Sequence, residues 1–136
     1  MIYPMFTMVL LTFIIGFAAM RARIASVKMK EINISYYRLM QAQVTQNIPE
    51  RVTVTTRSFN NMFEIPVLFY IAGTLSLALD QVTTFSLIIA WGFVLSRIFH
   101  TWIHLGYNNI LHRMNAYWIG LILVFILWIE QVYLTM

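Results

Sequence analysis

Residues 4 to 20 read PMFTMVLLTFIIGFAAM, a run without a single ionisable side chain, and Arg21, Arg23, Lys28 and Lys30 come after it. At a rise of ~1.5 Å per residue, such a run reaches the lower limit for crossing a hydrocarbon core of ~30 Å. It predicts a membrane-crossing helix over about 4–26 with its cations at one end. A cleaved leader carries positive charge ahead of its apolar run, and Met1 to Tyr3 supply none. The stretch is therefore expected to be an uncleaved first span with its N-terminus on the non-cytoplasmic side.

Working outward, three further apolar runs follow, predicting spans at about 57–79, 84–105 and 112–134. Between the first two lies a polar segment of about 27–56 with Pro49 and mixed charges, which reads as a cytoplasmic loop with some helical extension of its flanking spans. Asp80 to Thr84 (DQVTT) separates the second and third spans. Residues 106 to 112 (GYNNILH) separate the third and fourth, with Gly106 as helix stop and Asn108 or Asn109 as turn residue. The fold class expected is all-α, an integral membrane four-helix bundle forming a single domain over 1–136.

Composition agrees. The chain is 60% apolar and 10% charged, where soluble domains run to roughly 45–50% and 25%. Aromatic residues make up 15%, several near the ends of apolar runs as an interfacial belt requires. There is no cysteine, which excludes disulfides and any cysteine-based nucleophile or metal site. The net charge of +4 is read as membrane orientation and not as a nucleic-acid surface, because of where the cations stand. All nine Lys and Arg residues fall in the first loop, the third loop, or the halves of spans that lead to them, while Asp80 and Glu130 mark the other side. The positive-inside rule then puts both termini outside and the large loop in the cytoplasm.

Polar groups inside spans need a reason, since a charge at the bilayer centre costs about 2.5–3.5 kcal/mol even on insertion scales. Arg57, Asn61 and Glu64 are spaced four and three apart and share one helix face. Pro66 follows, deprives the Met62 carbonyl of its backbone partner, and predicts a kink one turn above Glu64. Arg97, His100 and His104, three and four apart, form a second polar face. Arg97 lies at a depth similar to Glu64, so an ion pair between them is expected. Arg113 and Tyr117, one turn apart, add a third face at the same end. Singly, each of these groups can be helix glue or an arginine snorkelling to headgroups. Together, three Arg, one Glu, one Asn, two His and one Tyr in one leaflet exceed what gluing short helices needs and point to a pocket for an anionic polar molecule.

Other chemistries fit the same residues less well. His100 and His104 with Glu64 could hold a metal, but the crowded arginines repel a dication and no further acidic ligand is in reach. A haem would need histidines from opposite faces, whereas these two project from one. His112 sits in a turn and reads as exposed. No Ser-His-Asp order, phosphate-binding glycine loop or nucleotide fingerprint occurs.

The stretch RSFNNMFEIPVLF at 57–69 resembles the second-helix signature of the membrane-associated proteins in eicosanoid and glutathione metabolism. Arg97, His100, Thr101, His104, Gly106, Arg113 and Tyr117 are similar in order and spacing to helices three and four of that family's prostaglandin E synthase branch. With four spans, the likeness covers nearly the whole chain. It implies a homotrimer with glutathione, as co-substrate, bound between subunits near the cytoplasmic side. Carried over, Arg57, Asn61, Glu64, His100 and Tyr117 would hold the peptide, Arg97 and His104 would stand with them, and Arg113 would be the catalytic residue that stabilises the thiolate. Arg21 resembles a further basic contact.

The physics suits this role. Glutathione carries two carboxylates and one ammonium, which several arginines and one glutamate complement. A thiol of pKa about 8.5 is mostly protonated at neutral pH, and a neighbouring guanidinium favours the reactive anion. The second substrate would be a hydrophobic or lipid-like electrophile arriving through the bilayer. His104 stands where relatives commonly have Tyr, Ile65 follows Glu64 where leukotriene-forming relatives have Tyr, and Met114 replaces a small polar residue. These departures favour general conjugation or peroxidase chemistry over an eicosanoid speciality. The rival readings are a non-catalytic lipid-binding scaffold and a transferase using another low-molecular-weight thiol.

Overall fold

Each apolar run is helical in the computed structural model, which describes residues 1–39 and 48–136. Helix α1 spans Ile2–Lys28, α2 Ile34–Leu39, α3 Glu50–Asn60, α4 Ile65–Ala78, α5 Thr84–Leu105 and α6 Ile110–Thr135. Of these, α1, α5, α6 and the combined stretch Glu50–Ala78 are long and apolar enough to cross a membrane, making four spans. Part of the expected loop, 40–47, lies outside the described residues.

The helices bury narrow seams and leave broad apolar faces outward, the arrangement a lipid solvent permits. In α1 the buried positions are Pro4, Met8, Ile15, Ala19 and Ser26, recurring at intervals of four and seven. Phe6, Phe13, Ile14 and Phe17 of the same helix stay exposed. The core joins Met8 and Ile15 to Phe69 and Ala72 of α4, Ala90, Phe93 and Val94 of α5, and Val124 and Leu127 of α6. At its centre the Phe69 and Phe93 rings lie 4.6 Å apart.

Three helix ends are closed by a residue in the left-handed region: Lys30 (φ 57°), Asp80 (φ 54°) and Asn108 (φ 50°). After α1 and α4 this gives the paired wrap-around bonds of a helix stop, Glu31 N–H to Ser26 O and Gln81 N–H to Ser76 O. Gly106 follows α5 as expected, but with φ −91°, and Asn108 takes the left-handed turn instead. Beyond α1, Arg51 pairs with Glu31, and Arg23 Nη2 donates to Thr56 Oγ1 at 3.3 Å. At the opposite end, Gln81 Nε2 donates to the Leu134 carbonyl at 3.0 Å. A Cβ on Gly73 of α4 would lie 3.2 Å from the Met1 side chain. Both chain ends therefore share the end of the bundle that carries the α4–α5 turn.

The second crossing differs from its expectation. Pro66 does not kink a continuous helix one turn above Glu64. α3 stops at Asn60, a single 3-10 turn covers Asn61–Phe63, and α4 restarts at Ile65 with Pro66 in its first turn. Glu64, at φ −99° and ψ −102°, is the joint. Proline fits a first helical turn, where its missing N–H has no intrahelical role, so breaking the helix satisfies the chain better than bending it.

Thr83 caps α5 by accepting from Ser86 N–H at 2.9 Å, and its hydroxyl donates to Glu130 of α6. Thr83→Ala is expected to lower the stability of the detergent-solubilised protein by about 1–2 kcal/mol. Thr83→Ser, which keeps the hydroxyl, should remain close to the parent. Thermal unfolding of the three proteins checks this, and equal midpoints would show that the cap contributes nothing.

Candidate functional site

A cavity of about 520 Å³ opens where the helix break, α5 and α6 meet. Arg57, Asn60, Asn61 and Glu64 line it from α3 and the joint, His100 and His104 from α5, and Ile110, Arg113, Met114 and Tyr117 from α6. The wall follows from local geometry. Arg57 and Asn60 stand one turn apart at the end of α3, Asn61 opens the 3-10 turn that follows them, and the joint turns Glu64 toward the same space. His100 and His104 are one turn apart, with ring centroids 5.8 Å from each other. Ile110, Arg113, Met114 and Tyr117 repeat the same spacing at the start of α6.

Arg113 is held by neutral acceptors. Its Nη1 donates to Asn108 Oδ1 at 3.1 Å and lies 3.4 Å from His104 Nε2. A guanidinium has only donors, so His104 Nε2 can join that contact only as an acceptor, with its ring proton on Nδ1. Asn109 caps α6 through its Oδ1, which accepts from His112 N–H at 3.1 Å. The remaining unpaired N–H groups of that first turn, with the helix dipole, favour an anion beside Arg113. His112 is exposed and its Nδ1 meets the Tyr107 hydroxyl at 2.9 Å.

Among the described residues, the one ion pair is Arg51 with Glu31. The expected Glu64–Arg97 pair does not form. Arg97 is fully buried and turned toward α6, where Nη2 donates to the Tyr117 carbonyl at 3.1 Å, while Glu64 is exposed on the cavity wall. The two match in depth but not in direction around the bundle. Among the described residues, Arg57 and Arg113 likewise have no carboxylate within ion-pair distance, which leaves the cavity wall positive.

Seven of the nine residues singled out from the sequence thus meet at one cavity: Arg57, Asn61, Glu64, His100, His104, Arg113 and Tyr117. Arg97 packs one layer behind, and Arg21 lies apart, exposed on α1 with its guanidinium 5.8 Å from the Phe17 ring centre. Asn60, Ile110 and Met114 were not among them. Asn60 stands three residues after Arg57, and Ile110 three before Arg113, spacings that carry the signal. Among the described residues no group of three or more His, Asp or Glu side chains is placed to hold a metal ion.

A cavity walled by an Arg-Asn-Glu face before a proline, a histidine pair and an Arg-Tyr turn is the combination the sequence resemblance rested on. A model of the MAPEG family matches residues 1–133. The chain belongs to the MAPEG family. Searches of curated proteins and of solved structures return no match. MAPEG proteins include glutathione transferases and also non-catalytic members. With its four membrane-crossing helices, this MAPEG chain is an integral membrane protein.

The turn that presents Arg113 depends on Asn108 in two ways, through its left-handed backbone and through its side-chain acceptor. Both Asn108→Gly and Asn108→Ala remove the acceptor, but only alanine is strained there. Asn108→Ala is expected to be less stable than Asn108→Gly by about 1 kcal/mol. Thermal unfolding reads the difference, and identical midpoints would mean that the turn relaxes to another conformation.

Proposed function

We propose that this chain is a membrane-bound glutathione transferase that binds glutathione in the cavity between the helix break, α5 and α6. The observation that carries the reading is the cavity's charge pattern: Arg57 and Arg113, without carboxylate partners among the described residues, with one exposed carboxylate, Glu64, on the same wall as Arg57. Its two cations suit glutathione's two carboxylates and thiolate, and Glu64 suits the ammonium. Asn60, Asn61, His100 and Tyr117 supply neutral hydrogen-bonding groups around them. A volume of about 520 Å³ lies in the ordinary range for small-molecule sites.

Arg113 stabilises the thiolate. The thiol proton leaves to water, the sulfur lone pair forms a bond to an electrophilic carbon of a hydrophobic substrate, and the leaving group departs with its electron pair. With an unsaturated acceptor, the substrate carbanion takes up a proton instead. Given a lipid hydroperoxide, the same thiolate attacks the terminal peroxide oxygen. The alcohol leaves with one proton, and a second glutathione converts the sulfenic acid to disulfide and water. The family resemblance supports a homotrimer, in which Arg21, apart from the cavity of its own chain, would meet a neighbour's. The clustering of cations at the cavity end supports a cytoplasmic site with both termini outside.

A lipid-binding scaffold is the second reading, favoured by a separate groove of about 570 Å³ between α1 and α3. That groove is lined by Phe13, Gly16, Phe17, Phe59 and Phe63 and suits an acyl chain.

Glutathione titrated into purified protein, with thiolate absorbance followed against pH, tests the first reading. The signal is expected about 1–3 units below the free thiol's pKa of about 8.5. Arg113→Ala should abolish it without changing assembly. Glu64→Gln should weaken glutathione binding about tenfold or more. Absence of saturable glutathione binding, together with co-purified lipid, would sink the transferase in favour of the scaffold.

Sidedness is separately testable because the chain has no cysteine. In intact cells an impermeant maleimide is expected to label Asp80→Cys, and to label Lys30→Cys only after permeabilisation. The reverse pattern would place the cavity outside.

A further inference from the structure

Arg97 is fully buried, yet it is not on the cavity wall. It sits one side chain behind it, with its guanidinium carbon 5.2 Å from the centre of the Tyr117 ring and 5.5 Å from that of Phe93. Nη2 donates to the Tyr117 carbonyl at 3.1 Å, whereas Nε and Nη1 are buried without a hydrogen-bond partner. Room for the group comes from α6. A Cβ on Gly120 would lie 2.5 Å from Arg97 Nη2, 3.0 Å from Nε and 2.8 Å from Ser96 Oγ. Helix α6 therefore lacks a side chain at the place where the guanidinium crosses from α5.

A cation kept only to glue helices is expected to have its donors satisfied, because buried polar groups are normally paired and an unpaired buried charge is costly. Arg97 has no carboxylate within ion-pair distance among the described residues. Glu64 acts on it only beyond ion-pair distance, and it adjoins a positive cavity, so the anion that would complete its surroundings is one that a ligand brings.

We infer that Arg97 is a positioning residue for the bound thiolate, fixing Tyr117 by its ring and carbonyl and holding a positive charge behind the cavity wall, with Gly120 as the recess that admits it. The inference rests on the glutathione reading and adds to it a second, buried arginine and the glycine that seats it. At a separation of roughly 10 Å and an effective dielectric of about 20, one such charge favours thiolate over thiol by about tenfold. The titratable groups on the cavity wall are Arg57 from α3, Glu64 from the joint, His100 and His104 from α5, and Arg113 and Tyr117 from α6. α1 and the body of α4 contribute none. Arg97 adds to their field without touching the peptide.

The test is the pH titration of bound glutathione thiolate, with turnover of a chlorodinitrobenzene, in the parent, Arg97→Gln, Arg97→Lys and Gly120→Ala. Arg97→Gln is expected to raise the thiolate midpoint by about one pH unit with glutathione affinity little changed. Arg97→Lys should restore most of the shift. Gly120→Ala keeps the charge but displaces it, and should lower kcat more than it alters KM. A parent-like midpoint in Arg97→Gln would overturn the inference, as would loss of thermal stability in both Arg97 variants with no shift in midpoint. Should Arg97→Gln fail to fold, a Gly120→Ala protein with parental midpoint and kcat overturns it alone. If the parent shows no thiolate below the free thiol's range, the glutathione reading itself fails and the role of Arg97 falls with it.

Discussion

Pro66 has no amide hydrogen, so no continuous helix can run through it and pair the Met62 carbonyl. In hydrocarbon that loss has to be confined, because an unpaired backbone group at membrane depth needs protein or water around it. The second crossing meets this by splitting into α3 and α4 with Glu64 as the joint. On one side of the split, Phe69 and Ala72 pack against an apolar core of Phe93, Val124 and Leu127. On the other side lies the polar cavity. The proline thus marks the boundary between the part of the bundle held by apolar packing and the part that can hold a hydrophilic ligand.

Charge reinforces that division. Asp80 and Glu130 lie at the end with the α4–α5 turn, where Glu130 accepts from the N-cap hydroxyl of α5 and favours that helix's dipole. At the other end, Arg57, Arg97 and Arg113 converge with Glu64 as the one nearby carboxylate among the described residues, and none is paired to it. Arg97 is the buried one of the three, and a bundle selected only for stability would pair or omit it, since an uncompensated buried charge destabilises. Their retention, with Arg113 held by Asn108 and His104, leaves the cavity wall with a net positive charge.

The helices were legible because hydropathy over twenty residues is a strong signal, and the helix stops were legible through Gly106, Asn108 and Asn109. The convergence of Arg57, Asn61, Glu64, His100, His104, Arg113 and Tyr117 was legible because spacings of three and four put residues on one face, and the loops put those faces at one end. What spacing cannot convey is the direction of a face around the bundle. Arg97 and Glu64 agree in depth, so the sequence suggested a pair, but Arg97 faces α6. The structure shows why: Gly120 of α6 leaves the room beside Ser96 through which the guanidinium crosses. The break at Glu64 was half legible: proline announced a fault, and only tertiary packing decided between a kink and a restart. Arg21 points away from the cavity of its own chain, and no pattern within one chain says what it faces.

A thiolate made for an apolar partner has conflicting needs. Its formation requires cations, hydrogen-bond donors and a route by which the proton reaches water, whereas its use requires contact with a molecule dissolved in lipid. Neither bulk water nor the bilayer centre offers both. The proposed site would combine them by position: Arg57 and Glu64 are exposed at its polar rim, while Ile110 and Met114, on the same wall as Arg113, are apolar side chains 69% and 47% exposed. Arg113 stands between the two regions at the first turn of α6. A thiolate beside it would form within reach of the aqueous rim and meet its electrophile along the face of α6 that continues through Trp118 and Ile122 into the bilayer. On the proposed function the membrane would be part of the site, because the exposed apolar wall of α6 would supply the side of the cavity that water cannot.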